Sequence, residues 1–193
     1  YLMSYLGCVT EDYSKNETGI AVAKSPAGPW IKVDHLNPIV PWGDPNIFGN
    51  GADRNGFNSW GTGMPALVSV DQKGKVLLFF QTSSRGTGIQ YWDLSNLDDP
   101  KVMWDATRNN NGILRSDGLS CGVGITDYAY DPIAKRFYVF GVTNEKNPPN
   151  ITETLVNSHC VLAYIENVES MEHLCEILQQ NTYRWKCVGH VGP

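Results

Sequence analysis

Residues 61–71 read GTGMPALVSVD, and residues 122–131 read GVGITDYAYD. Each stretch begins with Gly-x-Gly, continues as a mostly apolar run and ends in an aspartate, and a lysine follows four residues later. A second apolar run then places Phe80 or Phe140 nine residues after the aspartate. A pattern that recurs at one fixed spacing is typical of stacked or radial repeats. The repeat therefore predicts two copies of one strand pair.

The aspartates that recur, Asp71 and Asp131, have a structural explanation. An aspartate at the start of a short turn ordinarily caps the hairpin, and a small residue there allows the tight bend. Gly74 and Ala134 occupy that place in the two copies. We therefore interpret these residues as turn chemistry and not as a functional site.

Alternation of apolar and polar residues, interrupted by turn residues, divides the chain into short strands. The predicted strands are 1–10, 19–24, 30–33, 65–70, 76–82, 88–92, 101–104, 125–130, 136–142, 160–165 and 183–188. A helix is predicted over 169–178, with one apolar face formed by Met171, Leu174, Ile177 and Leu178. The strands make one partial and two complete sets of four, which is typical of β-propeller blades. A β-sandwich is the alternative, but it does not require the spacing to repeat.

The predicted fold class is therefore all-β, with one propeller domain of four-stranded antiparallel blades over residues 1–36, 60–105 and 122–190. Propellers of this kind have at least four blades, so three cannot close a ring. The chain opens on YLMSYL, in the middle of a predicted strand and without an initiator Met. We expect residues before Tyr1, and we expect missing sequence or another chain to supply the remaining blades.

Composition limits the classes of partner. With 193 residues and 18% charged residues, the chain is long enough and apolar enough to bury one sizeable core. Its net charge of -5 argues against a nucleic-acid surface, which needs clustered Lys and Arg. No apolar run approaches the roughly 18 residues of a membrane span. The cysteine spacings fit no zinc site, and we predict no metal and no cofactor.

Cysteines and glycosylation sequons favour a secreted protein. The two sequons begin at Asn16 and Asn150, both in stretches that resemble loops. Cys175 and Cys187 flank the predicted helix and the strand after it, so we predict a disulfide between them. The count of five cysteines leaves one thiol unpaired or paired with sequence outside the chain.

Residues 19–30, GIAVAKSPAGPW, resemble a strand of the β-propeller carbohydrate-active enzymes, most closely the family 43 glycoside hydrolases and their relatives. Residues 68–80, VSVDQKGKVLLFF, are similar to a strand pair of the same enzymes. The resemblance implies a propeller with a glycan substrate in a central funnel. It also implies three acidic residues on the inner strands of successive blades. Of those positions, one falls upstream of Tyr1, and Met64 precedes Pro65 where the second acid is expected.

Asp127 is the nearest carboxylate to the third acidic position, and with Asp117 it forms the predicted catalytic pair. A glycosidase needs two carboxyl groups across the scissile bond, and burial of Asp127 at the entrance to an inner strand would raise its pKa. His190 is a further candidate for acid–base work near neutral pH. For each residue the alternative is structural: a turn-capping or blade-locking carboxylate, or a histidine packed in the fold.

Four loop residues are candidates for substrate binding. Arg54 can clamp a carboxylate, Trp60 can stack on a sugar, and Asn55 lies beside them in the same connection. Arg85 is the fourth, although an exposed loop arginine is the simpler interpretation. The sequence thus predicts a glycoside hydrolase. The alternatives are a lyase that uses His, Tyr and Arg on uronic-acid glycans, and a propeller that binds glycans without catalysis.

Overall fold

The structure is a computed structural model that describes residues 1–8, 15–42, 61–82, 86–106, 123–143 and 159–191. These residues form eleven strands and one α-helix. In chain order they are β1 (Leu2–Cys8), β2 (Asn16–Val22), β3 (Ile31–Lys32), β4 (Thr62–Ser69), β5 (Lys75–Thr82), β6 (Gly86–Asp93), β7 (Lys101–Asp105), β8 (Val123–Asp131), β9 (Arg136–Thr143), β10 (His159–Glu166), α1 (Met171–Gln179) and β11 (Lys186–Val191).

The strands form three antiparallel sheets, and within each sheet consecutive strands are hydrogen-bonded neighbours. The first sheet holds β1–β3, the second β4–β7 and the third β8–β11. The prediction of an all-β chain with one partial and two complete sets of four strands is confirmed. In the described part of the chain, no helix has the length and apolar character needed to cross a membrane.

The chain forms two compact units, residues 1–111 and residues 112–193. In the first unit the β1–β3 and β4–β7 sheets pack against each other through one apolar core. That core consists of Ile20, Val33, Leu36, Ile39, Val40, Val76, Leu78, Phe80, Trp92 and Leu94. Both β1 and β2 contact β4, and the Ser4 hydroxyl donates to the Pro65 carbonyl oxygen at 3.2 Å. The first strands of the two sheets therefore lie next to each other.

The second unit combines the β8–β11 sheet with α1. The sheet buries Tyr128, Phe137, Val139, Ala163 and Ile165, and α1 buries Met171, Leu174, Cys175 and Leu178. Ser170 caps the helix, because its hydroxyl oxygen accepts a hydrogen bond from the His173 N–H at 3.1 Å. The Val168 N–H donates to the Lys135 carbonyl oxygen at 2.9 Å, so the segment entering α1 is tied to the β8–β9 hairpin.

The recurring aspartates are turn caps, as predicted. Asp71 Oδ1 accepts hydrogen bonds from the N–H groups of Lys73 and Lys75 at 2.8 and 3.0 Å. Asp131 Oδ1 accepts from the N–H groups two and three residues further on, also at 2.8 and 3.0 Å. Each carboxylate therefore satisfies backbone donors of its own hairpin.

In the second hairpin, the residue with a positive φ angle is not the one predicted. Gly74 has φ +123°, but Ala134 has no positive φ, and Lys135 takes the left-handed conformation instead, with φ 50°. The Val70 N–H bonds the Lys75 carbonyl oxygen, and Asp131 lies opposite Arg136. In each hairpin the last residue before the second strand therefore has positive φ, and the first hairpin has another such residue at Gln72, with φ 59°.

Strand register also corrects the predicted match between the two copies. Ala66 lies opposite Phe79 in the second sheet, and Asp127 lies opposite Phe140 in the third. Phe140 therefore corresponds to Phe79 and not to Phe80. Both Phe79 and Phe80 are 1% exposed, whereas Phe140 is 48% exposed.

The predicted disulfide is also corrected, and the setting of one sequon differs from the loop that was expected. Cys175 is a free and buried thiol, so the predicted disulfide with Cys187 is not formed. The reason is helix phase, since Cys175 follows Leu174 on the buried face of α1. Asn16 is the first residue of β2 and not part of a loop, and its Oδ1 accepts a hydrogen bond from the Cys8 thiol at 2.9 Å. Asn150 lies outside the described residues.

Acid should destabilise the second sheet through two turn carboxylates. Partial burial raises the pKa of Asp71, but hydrogen bonds from the Lys73 and Lys75 N–H groups outweigh it, and the pKa lies below 3.8. The Ser95 hydroxyl and N–H lower the pKa of Asp93 below 3.8. Both pKa values are lower in the folded protein than in the unfolded protein. The two carboxylates therefore contribute their full stabilisation above the unfolded-state pKa, and this contribution is lost as the pH falls through the folded-state pKa. We expect the double variant Asp71→Asn, Asp93→Asn to lose less stability than the parent protein as the pH falls below about 4, as measured by circular dichroism. Equal losses of stability in the two proteins would contradict this.

Candidate functional site

The carboxylate of Asp127 is exposed on the first strand of the third sheet. Asp127 lies at the centre of β8, directly opposite Phe140 of β9. Its Oδ1 accepts a hydrogen bond from the Tyr128 N–H at 2.8 Å, which fixes the carboxylate against its own backbone. The predicted burial of Asp127 is therefore wrong, because its neighbour Tyr128 occupies the buried side of the strand.

Aromatic and aliphatic side chains lie beside Asp127 on the same side of the sheet. Directly opposite residues of an antiparallel pair share a face, and so do residues two apart along one strand. The set of side chains that register assigns to this side is Asp127, Ala129, Tyr138, Phe140, Leu162 and Tyr164, and we call it the aromatic face. Asp127, Ala129 and Phe140 are exposed, and the other three are half-buried.

The aromatic face continues into a band of charged residues. The Tyr138 and Tyr164 rings lie 5.8 Å apart at an interplanar angle of 50°. The Arg136 guanidinium carbon lies 4.5 Å from the centre of the Tyr164 ring. A hydrogen bond with Tyr138 raises the pKa of Arg136. Glu166 lies opposite Arg136 in β10 and also forms an ion pair with Lys186.

The matching face of the second sheet has a different character. Register places Ala66 where the third sheet has Asp127, and it places Leu77 and Phe79 where the third sheet has Tyr138 and Phe140. Leu77 is 0% exposed and Phe79 is 1% exposed. One face is thus apolar and buried, and its counterpart carries a carboxylate and phenol groups and is open to solvent. The exchange of Ala66 for Asp127 is the clearest difference between the two copies.

The connection that carries Arg54, Asn55 and Trp60 lies outside the described residues, but both of its ends are described. Trp42 precedes it, and the Trp42 N–H donates to Glu17 Oε1 at 3.1 Å. Gly61 follows it with φ +93°, forming a parallel bridge with Asn16. A Cβ atom at Gly61 would lie 2.3 Å from the Asn16 carbonyl oxygen and 2.7 Å from Trp42 Cδ1. The two ends of the connection therefore meet at the start of β2.

The remaining predicted residues are not brought together in the described part of the chain. Asp117 and Arg85 lie outside it, together with the three residues of the first connection. His190 lies in β11 opposite Val161, and its side chain is outside what the structure describes. Cys187 lies in the same strand, opposite Ala163. Asp127 is therefore the one predicted catalytic residue whose side chain the structure describes.

Sequence reasoning missed Phe140, Tyr138 and Tyr164. The segment RFYVFGVT at 136–143 is apolar at nearly every position, so alternation does not say which side faces water. The available signal was register: counting back from the hairpin places Phe140 opposite Asp127, and a carboxylate favours the solvent side of a sheet.

The described residues contain no cluster of His, Cys, Asp or Glu that could hold a metal ion. Comparison of the chain with protein-family models, with curated proteins and with solved structures finds no match.

Proposed function

We propose that this chain is part of a β-propeller that acts on glycans and hydrolyses glycosidic bonds. The observation that carries the proposal is Asp127, an exposed carboxylate held by the Tyr128 N–H and placed in register beside an exposed phenylalanine. Glycan-active sites combine carboxylates with aromatic side chains because a sugar presents both hydroxyl groups and an apolar ring face.

The propeller architecture is supported by the way in which the sheets follow one another. Each described sheet is a meander of consecutive strands, and long connections lead from one sheet to the next. In the first unit the first strand of one sheet contacts the first strand of the following sheet, with an apolar core between them. Radial packing of blades around an axis brings first strands together in this manner.

The exposure of Asp127 favours one of the two carboxylate roles. A general acid is usually found in an apolar pocket, whereas a nucleophile or general base occupies a polar, partly solvated place. Asp127 belongs to the second class, since it is exposed and accepts a backbone hydrogen bond. We propose that Asp127 acts as the nucleophile or base.

The general acid is proposed to come from another part of the chain. Asp131 is the next carboxylate along β8, and four residues of strand span about 13 Å. That exceeds the roughly 5–9.5 Å between the two carboxyl groups of glycosidases. Asp131 is in addition engaged with its own turn. Asp117, in the connection that precedes β8, is the proposed partner.

A second function, glycan binding without catalysis, is favoured by the aromatic face. Its exposed Phe140 and the half-buried Tyr138 and Tyr164 offer a stacking surface whether or not a second carboxylate approaches Asp127. This version predicts binding of oligosaccharides with no release of reducing ends.

The Asp127→Asn variant tests hydrolysis. We expect the purified protein to release reducing ends from at least one of xylan, arabinan and galactan, and we expect the variant to lose about 100-fold or more of kcat. Asp131→Asn is the matched control, since it removes the other carboxylate of β8 and leaves an amide that can still cap the turn. Equal rates for Asp127→Asn and the parent protein would remove Asp127 from the mechanism. A product that absorbs in the near ultraviolet would instead identify a lyase.

A further inference from the structure

In the two four-stranded sheets the edge strands are irregular and the central strands are not. The β5–β6 pair and the β9–β10 pair run from end to end without a shift of register. The edge strands β4, β7, β8 and β11 each carry one residue more than the stretch of the neighbouring strand with which they pair. Such a bulge bends and twists a strand and interrupts its ladder of hydrogen bonds. In these sheets irregularity is therefore confined to the strands at the ends of the described order.

The additional residue of each outer strand is large and apolar, where β3, β7 and β11 are the outer strands because each is the last strand of its sheet. Met103 stands between Val102 and Trp104 in β7, and register places no residue of β6 opposite it. In the same way no residue of β10 lies opposite Val188 in β11. Met103 is 49% exposed and Val188 is 59% exposed. Both residues thus interrupt an outer strand without filling the core.

Lysine is present in every outer strand. β7 begins at Lys101 and β11 begins at Lys186. Their side chains are 64% and 46% exposed, and each forms an ion pair, with Asp99 and Glu166 respectively. Lys32 is exposed in β3. A lysine in an edge strand disfavours the addition of another strand, because its charge would lose water at the new junction.

The outer edge of the first sheet is closed in another way. β3 has only two residues, and beyond it the backbone of β2 is covered by other atoms of the chain. The Asn37 side chain accepts a hydrogen bond from the Ile20 N–H at 2.6 Å and donates one to the Ile20 carbonyl oxygen at 2.8 Å. Further along β2, the Thr18 carbonyl oxygen accepts from the Ile39 N–H at 2.9 Å, and the Thr18 N–H donates to the Val40 carbonyl oxygen at 3.1 Å. Asn37 and the residues after it thus take the place of a neighbouring strand.

We propose that the outer strands are built to prevent the addition of a further strand, so that the protein does not assemble through its outer sheet edges. An edge strand otherwise presents a row of backbone donors and acceptors that pair readily with another chain. The apolar segment VMW at 102–104 would favour such pairing. The additional Met103 opposes it, because it breaks the regular spacing of N–H and C=O groups along β7. This property is independent of glycan binding and of hydrolysis.

Removal of Met103 tests the role of the bulge. The shortened strand keeps the residues that already lie opposite β6, and it pairs with β6 in regular alternation. At rising protein concentration we expect the deletion variant to reach at least about twice the mass of the parent protein by light scattering. We also expect the β7 amides of this variant to become protected from hydrogen exchange. Met103→Ala is the matched control, because it removes the exposed side chain and keeps the additional residue, and it should behave like the parent protein.

Several results would overturn the proposal. The first is a deletion variant of Met103 that folds, as judged by circular dichroism, and keeps the mass of the parent protein. The second is association of the variant without protection of the β7 amides, since the contact would then lie elsewhere. The third is a parent protein that associates and is dispersed by Met103→Ala, because Met103 would then belong to an interface.

Removal of Val188 repeats the experiment in β11 of the second unit. It decides the outcome if the chain without Met103 does not fold, because the two residues lie in different units. We expect the same rise in mass, with protection of the β11 amides, and Val188→Ala is the matched control. If neither shortened chain folds, the additional residue is a requirement of the sheet itself and the proposal is wrong.

Discussion

Replacing Trp185 by alanine should destabilise the second unit by about 3–5 kcal/mol, the range measured for buried tryptophan and phenylalanine truncations. Trp185 is 2% exposed and precedes β11. Its ring centre lies 6.2 Å from that of Phe137 and 6.3 Å from that of Tyr183. Removal of the indole leaves a cavity between these aromatic groups, which the rigid sheet cannot close.

Urea unfolding followed by circular dichroism measures the loss, and Trp104→Ala is its matched control. Trp104 is half-buried in β7 of the first unit and contacts Tyr91 with ring centres 5.9 Å apart. We expect its removal to cost clearly less, because water already reaches the ring. Similar losses for Trp104→Ala and Trp185→Ala would contradict the assignment of Trp185 to the core.

Tyr183 gives an independent readout of the same change. Burial raises the pKa of Tyr183 to about 12. If Trp185 is part of what excludes water from that phenol, Trp185→Ala should move the pKa of Tyr183 back toward its ordinary value near 10. An ultraviolet titration of the variant below its unfolding pH measures the shift.

The sequence predicted the strands of this chain well because alternation and turn residues are local signals. The all-β class, the three meander sheets and the helix before the last strand all follow from them. The boundaries shifted where tertiary contacts decide. The last strand begins at Lys186 and not near Tyr183, since Tyr183 and Trp185 are buried ahead of it. The second strand begins at Asn16, because its polar start still pairs with β1.

The register between the two copies was less accessible to sequence reasoning. The first motif has eleven residues from its first glycine to its aspartate, and the second has ten. Aligning the aspartates made Phe140 the counterpart of the core residue Phe80. Hydrogen bonds show that the two turns differ instead, with Asp71 inside its turn and Asp131 at the end of β8. A slip of one residue reverses the face of a strand, so aligning the aspartates assigned Phe140 to the wrong face of β9.

Of the candidate site, the sequence identified Asp127 through its chemistry but not its surroundings. Its exposure depends on which side of β8 faces the core, and Tyr128 occupies that side. The disulfide prediction failed for a similar reason. Spacing along the chain does not show that Cys175 shares the buried side of α1 with Met171 and Leu178.

Gly74→Ala should destabilise the first unit by about 2–4 kcal/mol, because it combines backbone strain with overpacking. Gly74 has φ +123°, a conformation that side chains of L-residues rarely adopt. A Cβ atom there would lie 2.5 Å from Ser95 Cα and 2.6 Å from Ser95 N, which are backbone atoms that cannot rotate away. The Leu94 N–H also donates to the Gly74 carbonyl oxygen at 2.9 Å. A shift of this turn would therefore displace Leu94, which belongs to the core of the first unit.

The second hairpin supplies the control for Gly74→Ala. Lys135 holds the equivalent position with φ 50°, which lies in the left-handed region that L-residues do enter. Lys135→Ala removes the exposed ion pair with Glu169 and keeps the backbone conformation, so its unfolding midpoint in urea should stay close to that of the parent protein. If both alanine variants shift the unfolding midpoint in urea equally, the close approach of the Gly74 turn to Ser95 is not the reason for glycine at this position. If only Gly74→Ala shifts the midpoint strongly, contact with the next turn of the same sheet, at Ser95, restricts position 74 to glycine. The matching position in the other copy, Lys135, has no such restriction.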